Sequence, residues 1–102
     1  VSAAFTPGPW ATNIARLSDG SLNVAHVVGE RDQASLAQLV NHGEEQTVAN
    51  ARLIAATPEL YEALALFVAA ANMSALSPDT DAALARAYDA AVVALRKARG
   101  EV

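Results

Sequence analysis

A chain of 102 residues has room for one domain with one modest core. The lack of cysteine excludes disulfides and thiolate metal sites, and a formal charge of −4 argues against a binder of phosphate backbones, which would carry a basic patch. Hydrophobic residues make up 53% of the chain, but 25 residues are alanine; the core has to come from the larger side chains, and alanine-faced helices can approach one another closely.

The opening Thr6-Pro7-Gly8-Pro9-Trp10 cannot be regular helix or central strand, because two prolines fix φ and remove two donors. It reads as a rigid, extended lead-in that delivers the single tryptophan to the edge of the fold. A β-hairpin follows, so that residues 6–28 are lead-in and hairpin. Strands are predicted over about Thr12–Leu17 and Leu22–Val28, with Asp19-Gly20 as the turn signal. That turn sets Leu17 opposite Leu22 and Ala15 opposite Val24. One face then carries Ala15, Leu17, Leu22, Val24 and Val28, and is the better core candidate. The other carries Ile14, Arg16, Asn23 and Val27, and a longer loop would exchange the two faces.

Residues 31–42 read as a short helix or a strand. Helix is favoured, ending at Asn41-His42-Gly43 with Gly43 as its C′ residue, and a third strand over Leu36–Val40 is the rival. From Glu44 the pattern is helical, with helices expected over 44–56, 58–72 and 78–98. Glu44 and Glu45 suit the positive end of a helix dipole. Thr57-Pro58-Glu59 and Ser77-Pro78-Asp79 each read as N-cap, proline at the first helical position and an acid in the first turn. Leu60, Leu64, Phe67, Val68 and Ala71 form the predicted buried stripe of the second helix. Leu84, Ala87, Tyr88, Ala91, Val92 and Leu95 form that of the third, which ends in Arg96, Lys97, Arg99 and Gly100. The short connection makes the last two helices an antiparallel pair. The fold class expected is α+β: an N-terminal β-hairpin, or small antiparallel sheet, packed against a C-terminal antiparallel helix pair.

The longest apolar candidate for a membrane span, Leu60 to Met73, is too short and is interrupted by Glu62. No basic segment followed by an apolar stretch marks a signal peptide. A cytosolic protein without membrane association is expected.

Thr6-Pro7-Gly8-Pro9-Trp10, followed downstream by the run from Ala49 to Leu64 (ANARLIAATPELYEAL), resembles a widespread group of small proteins encoded by tailed phages and prophages. Members of that group have a TPGPW-like start, a short β region and an ANARLIAAxPEL-like stretch. Here Thr57 stands where alanine is usual and Tyr61 where leucine is usual. The group carries no biochemical activity to transfer. The resemblance implies an origin: a phage accessory gene expressed in a bacterial cytoplasm. Residues Glu30–Thr47 depart from the pattern and are where a difference in partner would lie.

No catalytic, cofactor or metal site is expected. His26 and His42 stand in no HxxxH or HExxH spacing, and without cysteine a zinc site would need acids from distant segments. Glu44-Glu45, Glu59-Glu62 and Asp79-Asp81 lie at helix starts, where dipole compensation accounts for them. There is no nucleophile elbow, GxGxxG or P-loop. Three residues remain as interaction candidates. Trp10 is a cap on the core or, if exposed, a binding anchor. Asn50 is a poor helix-interior residue whose amide would bond nearby backbone or a partner. Arg52 would pair with Glu45 or Glu59, or stack on Trp10. The function expected is that of a non-enzymatic interaction protein, self-associating as a dimer, that binds a host or phage macromolecule; inhibition of a host defence or regulatory system is one version. Direct nucleic-acid binding is not expected. A small-ligand binder with a pocket at the sheet–helix or dimer seam is the alternative.

Overall fold

The structure is a computed structural model, and it describes residues 5–40, 43–73 and 79–101. Three strands, β1 (Trp10–Arg16), β2 (Leu22–Gly29) and β3 (Ser35–Leu39), precede three helices, α1 (Glu44–Ala55), α2 (Thr57–Ala71) and α3 (Asp79–Arg99). The strands form one antiparallel sheet in the order β1-β2-β3. The α+β class and the small antiparallel sheet expected from sequence are both present.

The hairpin turn is one residue longer than the Asp-Gly signal implies. Leu17 and Ser21 close a three-residue loop (Leu17 N to Ser21 O, 2.8 Å), and Gly20 takes the positive φ of 89° that follows a tight turn. A bulge between Ala15 and Arg16 absorbs the extra residue. Arg16, not Leu17, therefore faces Leu22, while Ala15 still pairs with Val24. The core forms on the set of side chains ranked second in the sequence. Ala25 and Val27 are buried against Ala51 and Ala55 of α1, with Trp10 and Ile14 packed beside them. Leu22 and Val28 are buried as well.

The favoured helix over 31–42 is replaced by β3, the rival reading. Gly29 and Ala34 close the turn (Gly29 N to Ala34 O, 3.0 Å), Asp32 Oδ1 accepts the Ala34 N–H at 3.1 Å, and Gln33 adopts a φ of 57°. This turn brings Ser35–Leu39 alongside the free edge of β2, and pairing there overrides the helix preference of Leu, Ala and Gln. Gly43 is consequently not the end of a helix. It is the N-cap position of α1, at φ 104° and ψ 137°, a conformation open essentially to glycine alone. His42 and the Ser77-Pro78 cap signal lie outside the described residues. Thr57 does not cap either: it is the first residue of α2, and its Oγ1 donates back to Leu53 O at 3.4 Å.

The sheet does not lie directly on the α2–α3 pair. Helix α1 covers the sheet, α3 reaches α1 with its C-terminal part, and α1 and α2 meet at a 47° bend at Ala56. The other ties are local: Arg16 bonds Glu44 across β1 and α1 at 2.7 Å, Lys97 of α3 donates to Trp10 O at 2.8 Å, and Phe5 packs edge-on against Tyr61 of α2 with ring centroids 5.0 Å apart. The remainder of α2 and α3 projects away from the sheet. The molecule is 60 × 25 × 20 Å with a radius of gyration of 16.8 Å, against about 13 Å for a compact chain of this length. Among the described residues no single helix is long and apolar enough to cross a membrane.

Candidate interaction site

The projecting helix pair is joined by alanine. Ala56, Ala63 and Ala70 are buried at seven-residue spacing, as are Ala87 and Ala94 on α3. Spacing of seven keeps one narrow stripe in contact, and a methyl group lets the helix axes close up. Glu59 meets Lys97 (2.9 Å), while Glu62 shares a cleft with Asp89 and Val93. Residue numbers rise on one helix as they fall on the other, so the two run antiparallel.

The stripes read in the sequence as buried are split: Ala87 is fully buried and Leu60, Phe67, Ala91 and Val92 are half-buried, while Leu64, Val68, Leu84, Tyr88 and Leu95 face outward. Tyr61, Leu64, Val68, Leu84, Tyr88 and Leu95 are all exposed, Leu64 by 66% and Tyr88 by 64%. At 100° per residue from the alanine seam, the three on α2 and the three on α3 rotate to the same side of the antiparallel pair. The opposite side carries the cleft of Glu59, Glu62, Asp89, Ala90 and Val93, where Val93 is exposed beside the three acids. The result is one continuous apolar face, broader than the scattered leucines of an ordinary surface. The heptad alanines were the signal that would have separated seam from face in the sequence.

A second, smaller apolar surface lies beside the free edge of β3. Leu39, Val40, Asn50, Leu53 and Ile54 line a groove of about 380 Å³, and Val40 and Leu53 are largely exposed.

Trp10, Asn50 and Arg52 do not form one site. Trp10 is half-buried on the core, its Nε1 donates to Thr6 O at 3.2 Å, and its carbonyl receives Lys97; it is a cap. Asn50 is exposed on the β3 groove, and its amide makes no hydrogen bond among the described residues. Arg52 neither pairs with Glu45 or Glu59 nor stacks on Trp10. Its side chain lies over Gly100, where a Cβ would stand 2.8 Å from Cδ, Nε and Cζ. Glu59 is held by Lys97 instead, with its second oxygen, Oε1, buried and without a partner among the described residues. His26 is an ordinary strand residue, its Nδ1 3.2 Å from Ser35 Oγ. No three His, Asp or Glu among the described residues are grouped to hold a metal ion. Asp19 Oδ1 accepts the Ser21 hydroxyl and its N–H, the latter at 2.9 Å, and these bonds lower the carboxyl below its ordinary range.

Over residues 1–102 the chain matches the family described as Salmonella phage P22 protein Y8K6. The chain belongs to that family. The phage origin implied by the opening and by the Ala49–Leu64 stretch holds at the level of the Y8K6 family, and the match does not single out either motif. No curated protein and no solved structure shows significant similarity to the chain.

Proposed function

We propose that this member of the phage family is a non-enzymatic interaction protein that acts in the bacterial cytoplasm by binding a protein of the phage or of its host. The observation that carries the reading is the exposure of large apolar side chains on two surfaces, the face of the α2–α3 pair and the groove beside β3. Large side chains exposed on a helix pair gain free energy when another surface covers them, at about 25 cal/mol per Å² of apolar area. Two of the acids that a catalytic reading would use are committed elsewhere, Glu59 to Lys97 and Glu44 to Arg16.

The test is affinity capture from phage-infected and uninfected bacterial lysates. The wild-type chain is compared with Leu64→Asp/Tyr88→Asp and with Val40→Asp/Leu53→Asp. A retained protein that one of the double variants loses supports the reading. Capture of nothing by the wild type refutes it.

A further inference from the structure

We infer that the apolar face of the α2–α3 pair is covered by a second copy of the same chain, laid antiparallel on the first, so that two helix pairs close into one four-helix core. This rests on the reading of that face as an association surface and names its occupant.

Three observations lead to a second copy. The first is composition. On the side of α2 that carries Tyr61, Leu64 and Val68, no residue from Thr57 to Asn72 is charged; Glu59 and Glu62 lie on the other side. On the same side of α3 the run Leu84, Ala85, Tyr88, Ala91, Val92 and Leu95 is also uncharged. A charge-free strip at the spacing of a buried helix face is the pattern of a bundle core, and the chain supplies only two of the helices that such a core needs. The second is area. About 15 residues of each helix make a plane roughly 22 Å long and 20 Å wide, about 450 Å² in projection. Side-chain relief adds to this, and two such faces together reach the roughly 1,000 Å² that a specific interface requires. Phe5 packs edge-on against Tyr61 at one end of this face, with ring centroids 5.0 Å apart, and a self-complementary, isologous contact covers the rest with one chain type.

The third observation sets the direction. The uncharged strip on α3 is bounded by Asp81 at its start and Arg99 at its end, and both are exposed and rotated to the same side as Leu84 and Leu95. Parallel stacking would gather two aspartates at one end and two arginines at the other. Antiparallel stacking lays the Asp81 end of one α3 over the Arg99 end of the second copy, twice. The same register, centred near Ala90, lays Tyr88 over the small side chains of Ala91 and Val92. Rim charges of this kind add little affinity, but like charges in register are selected against, so they fix orientation. The sheets then stand at opposite ends, and each β3 groove remains open to a partner.

Light scattering on the eluting wild-type protein is expected to give twice the chain mass of 10.5 kDa. Leu64→Asp and Tyr88→Asp should raise the dimer dissociation constant about a hundredfold or more, because each places two carboxylates in a closed apolar seam. Both sites are exposed within one chain, so circular dichroism should show the variants still helical. Because the chain has no cysteine, orientation is read by mixing Asp81→Cys with Arg99→Cys. The mixed disulfide should form faster than either homodisulfide. A wild-type monomer at NMR concentrations, or a dimer unaffected by Leu64→Asp and Tyr88→Asp, overturns the pairing. Asp81→Cys linking to itself as fast as to Arg99→Cys overturns the antiparallel arrangement. A monomer that loses a captured bacterial or phage protein on Leu64→Asp shows a different occupant: the pairing falls and the interaction reading survives. A dimer that captures nothing from lysate has the reverse meaning.

Discussion

Replacing Ala87 tests the alanine seam directly. Ala87 is fully buried within α3, whereas Leu64 on α2 is 66% exposed. Ala87→Gly removes one buried methyl, about 0.8 kcal/mol, and adds the helix penalty of glycine, about 1 kcal/mol, for a loss near 2 kcal/mol. Ala87→Leu forces three further carbons into a gap set by a methyl group; overpacking of this kind costs about 1–3 kcal/mol. Leu64→Ala gives up only the buried third of a side chain worth about 2–3 kcal/mol, so under about 1 kcal/mol within one chain. The usual order, in which Leu→Ala is the damaging change, is therefore inverted. Urea unfolding followed by far-ultraviolet circular dichroism measures all three. Dilution to where the midpoint no longer depends on concentration isolates the single chain, and at higher concentration the Leu64→Ala loss should grow if the second copy binds. An Ala87→Leu protein as stable as wild type, or one more stable than Leu64→Ala under dilute conditions, would refute the close helix approach.

Lys97→Met should lower stability by about 1–2 kcal/mol, since it leaves Glu59 half-buried without its cation and Trp10 O without its donor; thermal melting and loss of amide protection at the β1–α3 contact check it. Gly43→Ala should cost about 1–3 kcal/mol at φ 104° and ψ 137°, read from the denaturation midpoint, and Gly43→Asn should give no relief, because this ψ lies outside the left-handed helical region that asparagine tolerates. Asp19 has a folded carboxyl held below 3.8 by Ser21, so its contribution is present above that value and is lost as pH falls through the lower folded one; an NMR titration should place the Asp19 carbon midpoint below 3.8, and Ser21→Ala should move it up.

Much of the framework was legible in the sequence because it rests on local chemistry. The Asp-Gly turn, the break at Thr57-Pro58, the acids opening α1 and the basic end of α3 all act within a few residues of where they stand. What was illegible depends on distant partners. Ser35–Leu39 has no β-branched residue, and it becomes a strand only because β2 offers a free edge. Trp10, Asn50 and Arg52 are each candidates for contact, yet α1 presents Asn50 and Arg52 on different sides, and Gly100 provides the room that Arg52 occupies. The stripes have the right spacing and Ala87 is buried as expected, but Leu64, Val68, Leu84, Tyr88 and Leu95 stand on the outer side. Hydropathy weights leucine above alanine, so a seam made of methyl groups is invisible to it, while the spacing of seven between Ala56, Ala63 and Ala70 is plain once sought.

Seam and face are two consequences of one choice of residue. A seam of leucines would hold two helices about 10 Å apart and spend the large side chains on that contact. A seam of alanines lets the axes come closer and leaves Tyr61, Leu64, Val68, Leu84, Tyr88 and Leu95 on the outer side. The base of this platform is then fixed by Lys97, which joins α2 through Glu59 and the sheet through Trp10 O. Breaking Lys97 while leaving the alanines intact should therefore loosen the angle between the helix pair and the sheet without dissolving the pair. In Lys97→Met, amide exchange should quicken at Trp10 and Ala11 and stay slow along Ala63 and Ala87. Equal loss of protection at both places would mean that the helix pair has no stability of its own, and that the apolar face is a by-product of the sheet rather than a surface built beside it.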